Sequence, residues 1–130
     1  MRTIFILSML IFCTLSIVSF SNNSNELTEK EQKKLFNKTM KLISKGHCRH
    51  AEANLLELLA VDSTNVDYNY EIALLYYYDL DQTDKSLKYF KKVEQLKEED
   101  QYPEIYYYLG QAYHFMENYD KAIKHYNHLK

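Results

Sequence analysis

After an almost unbroken apolar run from Ile4 to Val18, apolar residues fall into short clusters, each followed by a polar stretch. Two of these clusters rhyme. Ile72-Ala73-Leu74-Leu75-Tyr76, with Asp84-Lys85-Ser86-Leu87-Lys88-Tyr89-Phe90 behind it, matches Leu109-Gly110-Gln111-Ala112-Tyr113 followed by Asp120-Lys121-Ala122-Ile123-Lys124-His125-Tyr126. An earlier copy shows mainly its second half: Gly46, Ala51, Leu55 and Leu58, then Asp62-Ser63-Thr64-Asn65. Ala51, Ser86 and Ala122 mark one small-residue slot that recurs roughly every 35 residues, the spacing of stacked helix pairs. Asp62 to Asn65 supplies N-cap types before the second pair, and Pro103 suits the first turn of the third. The pattern predicts helices over about 27–45, 49–60, 66–79, 84–97, 103–116 and 119–130. Residues 22–26 read as a disordered lead, and Asp79 to Thr83 carries one residue more than the matching turn at Glu117 to Asp120.

The N-terminal run has a different use. Arg2 is a short positive n-region, Ile4 to Val18 an apolar h-region, and Ser19-Phe20-Ser21 places small residues at the −3 and −1 positions of a cut before Asn22. Residues 1–21 therefore read as a secretory signal peptide, and the chain as exported. Two rivals stay open: a retained anchor, since Ile4 to Phe20 is at the short limit for a span of roughly 20 residues, and a lipoprotein box at Leu10-Ile11-Phe12-Cys13, where Phe12 is bulky for its position. With the leader gone no membrane insertion is expected. Cys13 leaves with it, so Cys48 has no internal disulfide partner and is expected to pack as a small hydrophobe.

The repeat resembles the tetratricopeptide repeat. In the last copy Tyr106, Leu109, Gly110, Tyr113, Ala122 and Tyr126 fill the aromatic, Leu-Gly, Tyr, Ala and aromatic slots of that motif. The middle copy matches with Ile72, Ala73, Tyr76, Ser86 and Phe90, leaving Asn69 as a poor aromatic position. The first departs most, with Leu35, Lys38, Thr39 and Leu42 weak in its first helix and Ala51 and Leu55 sound in its second. The resemblance implies an all-α fold, antiparallel helix pairs stacked as a short right-handed solenoid over residues 27–130, with repeats at about 32–65, 66–100 and 103–130. Tyr106 to His114, Asp120 to Ile123 and Asp62 to Tyr70 are similar, more narrowly, to repeat modules that precede a β-propeller and an OmpA-like domain in bacterial envelope proteins. Neither of those domains lies within the 130 residues.

Composition narrows the chemistry. Two Gly and one Pro leave little turn material for a multi-stranded sandwich or barrel. A net charge of −2 supplies no field for a phosphate backbone, so nucleic acid is not an expected partner. His47-Cys48-Arg49-His50 looks like a metal cluster, but Cys48 falls on an inward position while His47 and His50 flank it on the solvent side, so the ligands do not converge. His125 and His128 share a helix face, read as solvated, with no third ligand evident. Glu98, Glu99 and Asp100 read as a solvated linker, and Asn22-Asn23-Ser24 and Asn37-Lys38-Thr39 matter only in a host that glycosylates. No nucleophile elbow, phosphate loop or paired Cys appears. The chain reads as a non-enzyme that takes no metal or cofactor.

What remains is tyrosine, thirteen residues of it, with six Phe and no Trp. Tyr76, Tyr106, Tyr113 and Tyr126 stand at packing slots. The family resemblance assigns the concave groove to Asp67, Tyr70, Leu74, Tyr77 and Tyr78 in the second copy and to Glu104, Tyr107, Gln111, His114 and Phe115 in the third. Lys33, Phe36, Met40, Ile43 and Ser44 are the weaker set of the first. Most of the ten better positions are aromatic, His or Leu, which suits a protein or peptide partner. Tyr70, Tyr107, Leu74 and Gln111 stand where chaperone-tail binders of this family carry a Lys and Asn clamp, so that specificity is not implied. The reading is an exported scaffold, in the periplasm or at the outer membrane and otherwise secreted. The alternative is a structural piece whose groove is filled by its own continuation or a second copy. Ile123, Tyr126 and Leu129 would leave the last helix with an uncovered apolar side, and self-association there, or a natural continuation beyond residue 130, is expected.

Overall fold

Thr28 starts the first helix by local chemistry. Its hydroxyl accepts from the Glu31 backbone N–H at 3.4 Å, and the Glu31 carboxylate accepts from the Thr28 N–H at 2.9 Å, a reciprocal capping box. The computed structural model describes residues 27–129, so the expected leader and lead, residues 1–26, lie outside the described residues. Six helices follow: α1 (Glu29–Ser44), α2 (Cys48–Val61), α3 (Val66–Tyr78), α4 (Thr83–Leu96), α5 (Ile105–Phe115) and α6 (Tyr119–Tyr126). Each packs on its chain neighbours, making three hairpins, α1–α2, α3–α4 and α5–α6, stacked in sequence order. The described residues contain no strand.

Each hairpin buries small residues on both of its helices. Thr39, Ala73 and Gly110 on the first helices and Ala51, Ser86 and Ala122 on the second are all buried. The two hydroxyls in this set bond locally, Thr39 Oγ1 to the Leu35 carbonyl and Ser86 Oγ to the Thr83 carbonyl, both at 2.8 Å. Thr39, which looks weak in the motif, is therefore the first copy's small slot. A Cβ at Gly110 would run into the Tyr126 ring, so glycine there lets that aromatic lie directly on the α5 backbone.

The turns inside the hairpins share a device. Gly46, Asp81 and Glu117 all adopt positive φ (72°, 47° and 58°), reversing the chain after α1, α3 and α5. His47 N–H then bonds to Leu42 C=O and Asn118 N–H to Tyr113 C=O, five residues back. In the middle hairpin Gln82 N–H reaches Tyr76 C=O, six residues back, which accommodates the extra residue. Between hairpins, Asn65 caps α3 by accepting from Tyr68 N–H, and Asn69, 2% exposed, donates to the carbonyls of Ser63 and Asn65. The poor aromatic position is thus a polar tie that holds the α2–α3 loop.

Two apolar clusters form between hairpins. Leu55 and Leu58 of α2 pack with Tyr68, Ile72 and Leu75 of α3, and Phe90 and Val93 of α4 pack with Ile105 and Leu109 of α5. Tyr76 and Tyr113 are core, as their slots imply, whereas Tyr106 and Tyr126 are only half-buried. Cys48 is free, half-buried against the first cluster. His47 and His50 are exposed.

Three expectations need correction. α5 starts two residues later than the pattern predicts, because Pro103 and Glu104 form a separate turn in which Ile105 N–H bonds to Tyr102 C=O. α6 ends at Tyr126 instead of running on; His128 and Leu129 bond three residues back, tightening the chain out of the helix. His125 is not on a solvated face. It is 9% exposed, stacked on Tyr113 (5.3 Å between centroids) with Nδ1 3.5 Å from Glu94 of α4. His128 alone stays exposed, its ring on Tyr106 at 4.7 Å.

Two outcomes follow from this packing. Gly110→Leu overfills the α5–α6 contact and lowers stability by about 1–3 kcal/mol, read from the urea midpoint; an unchanged midpoint would remove Gly110 from the packing. Burial holds the His125 imidazole below the usual histidine range against the pull of Glu94, and His128, Lys124 and Lys121 add to the depression. As pH falls below about 6.5 the unfolded chain protonates first. The stability tied to neutral His125 is therefore present above that pH and is lost on acidification. His125→Phe shows a smaller drop in midpoint between pH 7 and pH 5 than the wild type does.

Candidate functional site

Residues three, four and seven apart on a helix share a face. Asp67, Tyr70, Leu74 and Tyr77–Tyr78 thus form one stripe on α3, while Glu104, just before α5, joins Tyr107, Gln111 and His114–Phe115 on the second. Side chains bridge the two stripes. Tyr70 Oη donates to Glu104 Oε1 at 2.6 Å, and Tyr102 Oη donates to Asp67 Oδ1 at 2.6 Å. The Tyr70 and Tyr102 rings stack at 3.9 Å between centroids. Toward the other end, Tyr78 Oη donates to Tyr108 Oη at 3.2 Å, and Tyr77 meets Phe90 and Tyr108 edge-on. Neither Tyr102 nor Tyr108 belongs to the expected groove set. Both carry the seam between hairpins two and three.

Burial divides the expected residues. Tyr70 is buried, its hydroxyl committed to Glu104, so its ring belongs to the seam and offers little free surface. Leu74, Tyr77 and Gln111 are half-buried. Asp67, Tyr78, Glu104, Tyr107, His114 and Phe115 are exposed, with Phe115 at 75%, Tyr78 at 62% and Tyr107 at 44%. His114 meets the Tyr119 ring edge-on at 5.5 Å, tying the stripe to α6. The first copy joins at one point. Lys33 and Phe36 of α1 face Asp67 and Tyr68 across a cleft of about 700 Å³, and Phe36 packs on Tyr68 at 5.1 Å. Met40 and Ile43 are half-buried, Ile43 within the first cluster, and Ser44 is exposed.

The electrostatics are acidic and phenolic. Burial pushes the Tyr70 and Tyr102 hydroxyls above the ordinary phenol range, and the carboxylates they donate to push them further. Glu71 is also raised, by burial first and by neighbouring Asp67 second. The stripe offers ring faces, phenol donors and carboxylate acceptors. Among the described residues, no group of three or more His, Cys, Asp or Glu is placed to hold a metal ion, and no helix is long and apolar enough to cross a membrane.

Residues 66–100 match a family model described as tetratricopeptide repeat, and residues 103–129 match a second one of the same description. Residues 66–129 carry two tetratricopeptide repeats. Both matched stretches coincide with helix pairs, α3–α4 and α5–α6. No curated protein matches in sequence. Among solved structures the fold is similar to that of MamA, with a TM-score of 0.67 at 17% identity. The likeness covers 75% of this chain and 56% of that one, so the chain spans little more than half the length of that relative. At that identity the likeness concerns the fold, an all-α solenoid of tetratricopeptide type.

The division by burial is measurable. Tyr70→Phe keeps the stack on Tyr102 but removes the bond to Glu104, lowering stability by about 0.5–1.5 kcal/mol. Phe115→Ala, at an exposed position, leaves the urea midpoint within about 0.5 kcal/mol of wild type. A larger loss for Phe115→Ala than for Tyr70→Phe would invert the assignment of seam and surface.

Proposed function

We propose that this tetratricopeptide chain is an exported, non-enzymatic scaffold that holds a segment of a partner protein along the α3–α5 stripe. One observation carries the reading: Tyr78, Tyr107 and Phe115 leave large rings exposed on a face whose flanking side chains are locked by inter-helix hydrogen bonds. Rigid aromatic rings bring contact area at little entropic cost, and their hydroxyls remain useful at a wet edge. Asp67 and Glu104 at one end and Gln111 and His114 along the stripe supply polar contacts for register. Binding of this kind needs no cofactor.

Export rests on the sequence of residues 1–21, and a place in the periplasm or at the outer membrane rests on the resemblance of the repeats to envelope modules. The processed chain then begins at Asn22, which N-terminal sequencing of the protein expressed in its host reads directly; a chain that begins at Met1 refutes the cleavage. For the groove, the wild type and a Tyr107→Ala/Phe115→Ala double variant are compared in capture from the host envelope fraction. A protein retained by the wild type and held roughly tenfold more weakly by the variant is the expected result, the loss that follows when an anchor worth over 1 kcal/mol is removed. Equal retention by both moves the partner off this stripe.

A further inference from the structure

We infer that the α6 end of the stack pairs with the same end of a second copy, closing a two-fold dimer that leaves the α3–α5 stripe open. The three hairpins themselves supply the template. On α2, Ala51, Leu55 and Leu58 lie at successive positions i, i+4 and i+7; on α4 these are Ser86, Phe90 and Val93; on α6 and just beyond it they are Ala122, Tyr126 and Leu129. In the first two hairpins all three positions are fully buried, and the two larger ones pack with the next helix. In the third, Ala122 is buried by its own hairpin, but Tyr126 is half-exposed and Leu129 is 45% exposed. Ile123 is 58% exposed, and Met116 and Tyr119 extend the apolar area across the start of the helix.

The opposite end of the stack selects the occupant. The residues that pack with a preceding hairpin are Tyr68, Ile72 and Leu75 on α3, and Ile105 and Leu109 on α5, with buried Ala112 one turn further. The same spacing on α1 falls on Lys34, Lys38 and Lys41, all exposed. A second copy therefore cannot stack head to tail, because three ammonium groups would enter the apolar slots without partners. A copy instead offers its own α6 end, and such a pairing is self-complementary and closes after two molecules. Charge agrees with it. Asp120 and Lys124 are both exposed one turn apart on either side of Ile123, so two antiparallel α6 helices set the Asp120 of each copy toward the Lys124 of the other, with their helix dipoles opposed.

The test is symmetric cross-linking of the full chain in a Cys13→Ser/Cys48→Ser background, oxidised mildly with oxidised glutathione. Ile123→Cys lies near the two-fold axis, while Lys38→Cys, on the lysine end, is the control; both share the same N-terminal segment, so any association through that segment affects them alike. Disulfide-linked dimer forms on the order of a hundredfold faster from Ile123→Cys than from Lys38→Cys, the gain from holding two thiols together in a complex. Adding the exposed-site change Leu129→Glu to Ile123→Cys removes that advantage while helix content and melting stay at the parent's values. Equal rates at the two positions overturn the proposal. So does the absence of cross-linking at Ile123→Cys, which leaves the α6 face to a helix of another protein.

Discussion

Two helices of a hairpin approach closely where small residues are buried on both of them, and each of the three hairpins buries such a pair. Thr39 and Ala51, Ala73 and Ser86, and Gly110 and Ala122 are these buried small residues, one on each helix of a hairpin. The larger residues one turn away, Leu55 and Phe90, pack with the first helix of the next hairpin, while the Tyr126 ring lies on Gly110 of its own hairpin. A chain without such pairs could still form the six helices. It could not stack them in a fixed register.

The stripe on α3 and α5 inherits its rigidity from that register. The stacked Tyr70 and Tyr102 rings, each with its hydroxyl on a carboxylate of the other hairpin, fix the distance between the two helices at one end. Tyr78 and Tyr108 do so at the other. Rings between these two ties stay presented in one geometry instead of collapsing onto the surface. A binding face built in this way loses little freedom when occupied, which is the circumstance in which exposed aromatics contribute most to affinity.

How much of this could be read from the residues depended on whether the signal was local or relational. The small slots, the turn with one extra residue and the Asn65 cap are local, and their residue types announce them. Thr39 and Asn69 look like defects because the motif asks for a glycine-like residue and an aromatic. Each satisfies its polar group within its own helix or the loop before it, which no spacing rule reveals. The burial of His125 was hidden for another reason: its partners are Tyr113 on α5 and Glu94 on α4, distant in sequence, so the helix-face pattern of α6 alone makes it look solvated. Tyr70 was placed on the right face but its exposure was not legible, since the ring that covers it, Tyr102, comes from an irregular connection at positive φ. Tyr106 and Tyr126 occupy core slots by motif yet stay half-exposed, because burial at those slots is supplied by neighbours and not by the residue itself.

The paired phenols have an optical consequence. With thirteen tyrosines and no tryptophan, the near-ultraviolet absorption and emission of the chain come from tyrosine alone. Stacked rings share excitation, and a phenol that donates to a carboxylate has a proton acceptor already in place when it is excited, which quenches its light. The junction of the second and third hairpins is therefore dark while closed and brightens as it opens. Tyr76, whose hydroxyl donates to Glu52 of α2 at 2.9 Å, does the same at the first junction, so the molecule carries its own unlabelled reporter of how its hairpins are seated.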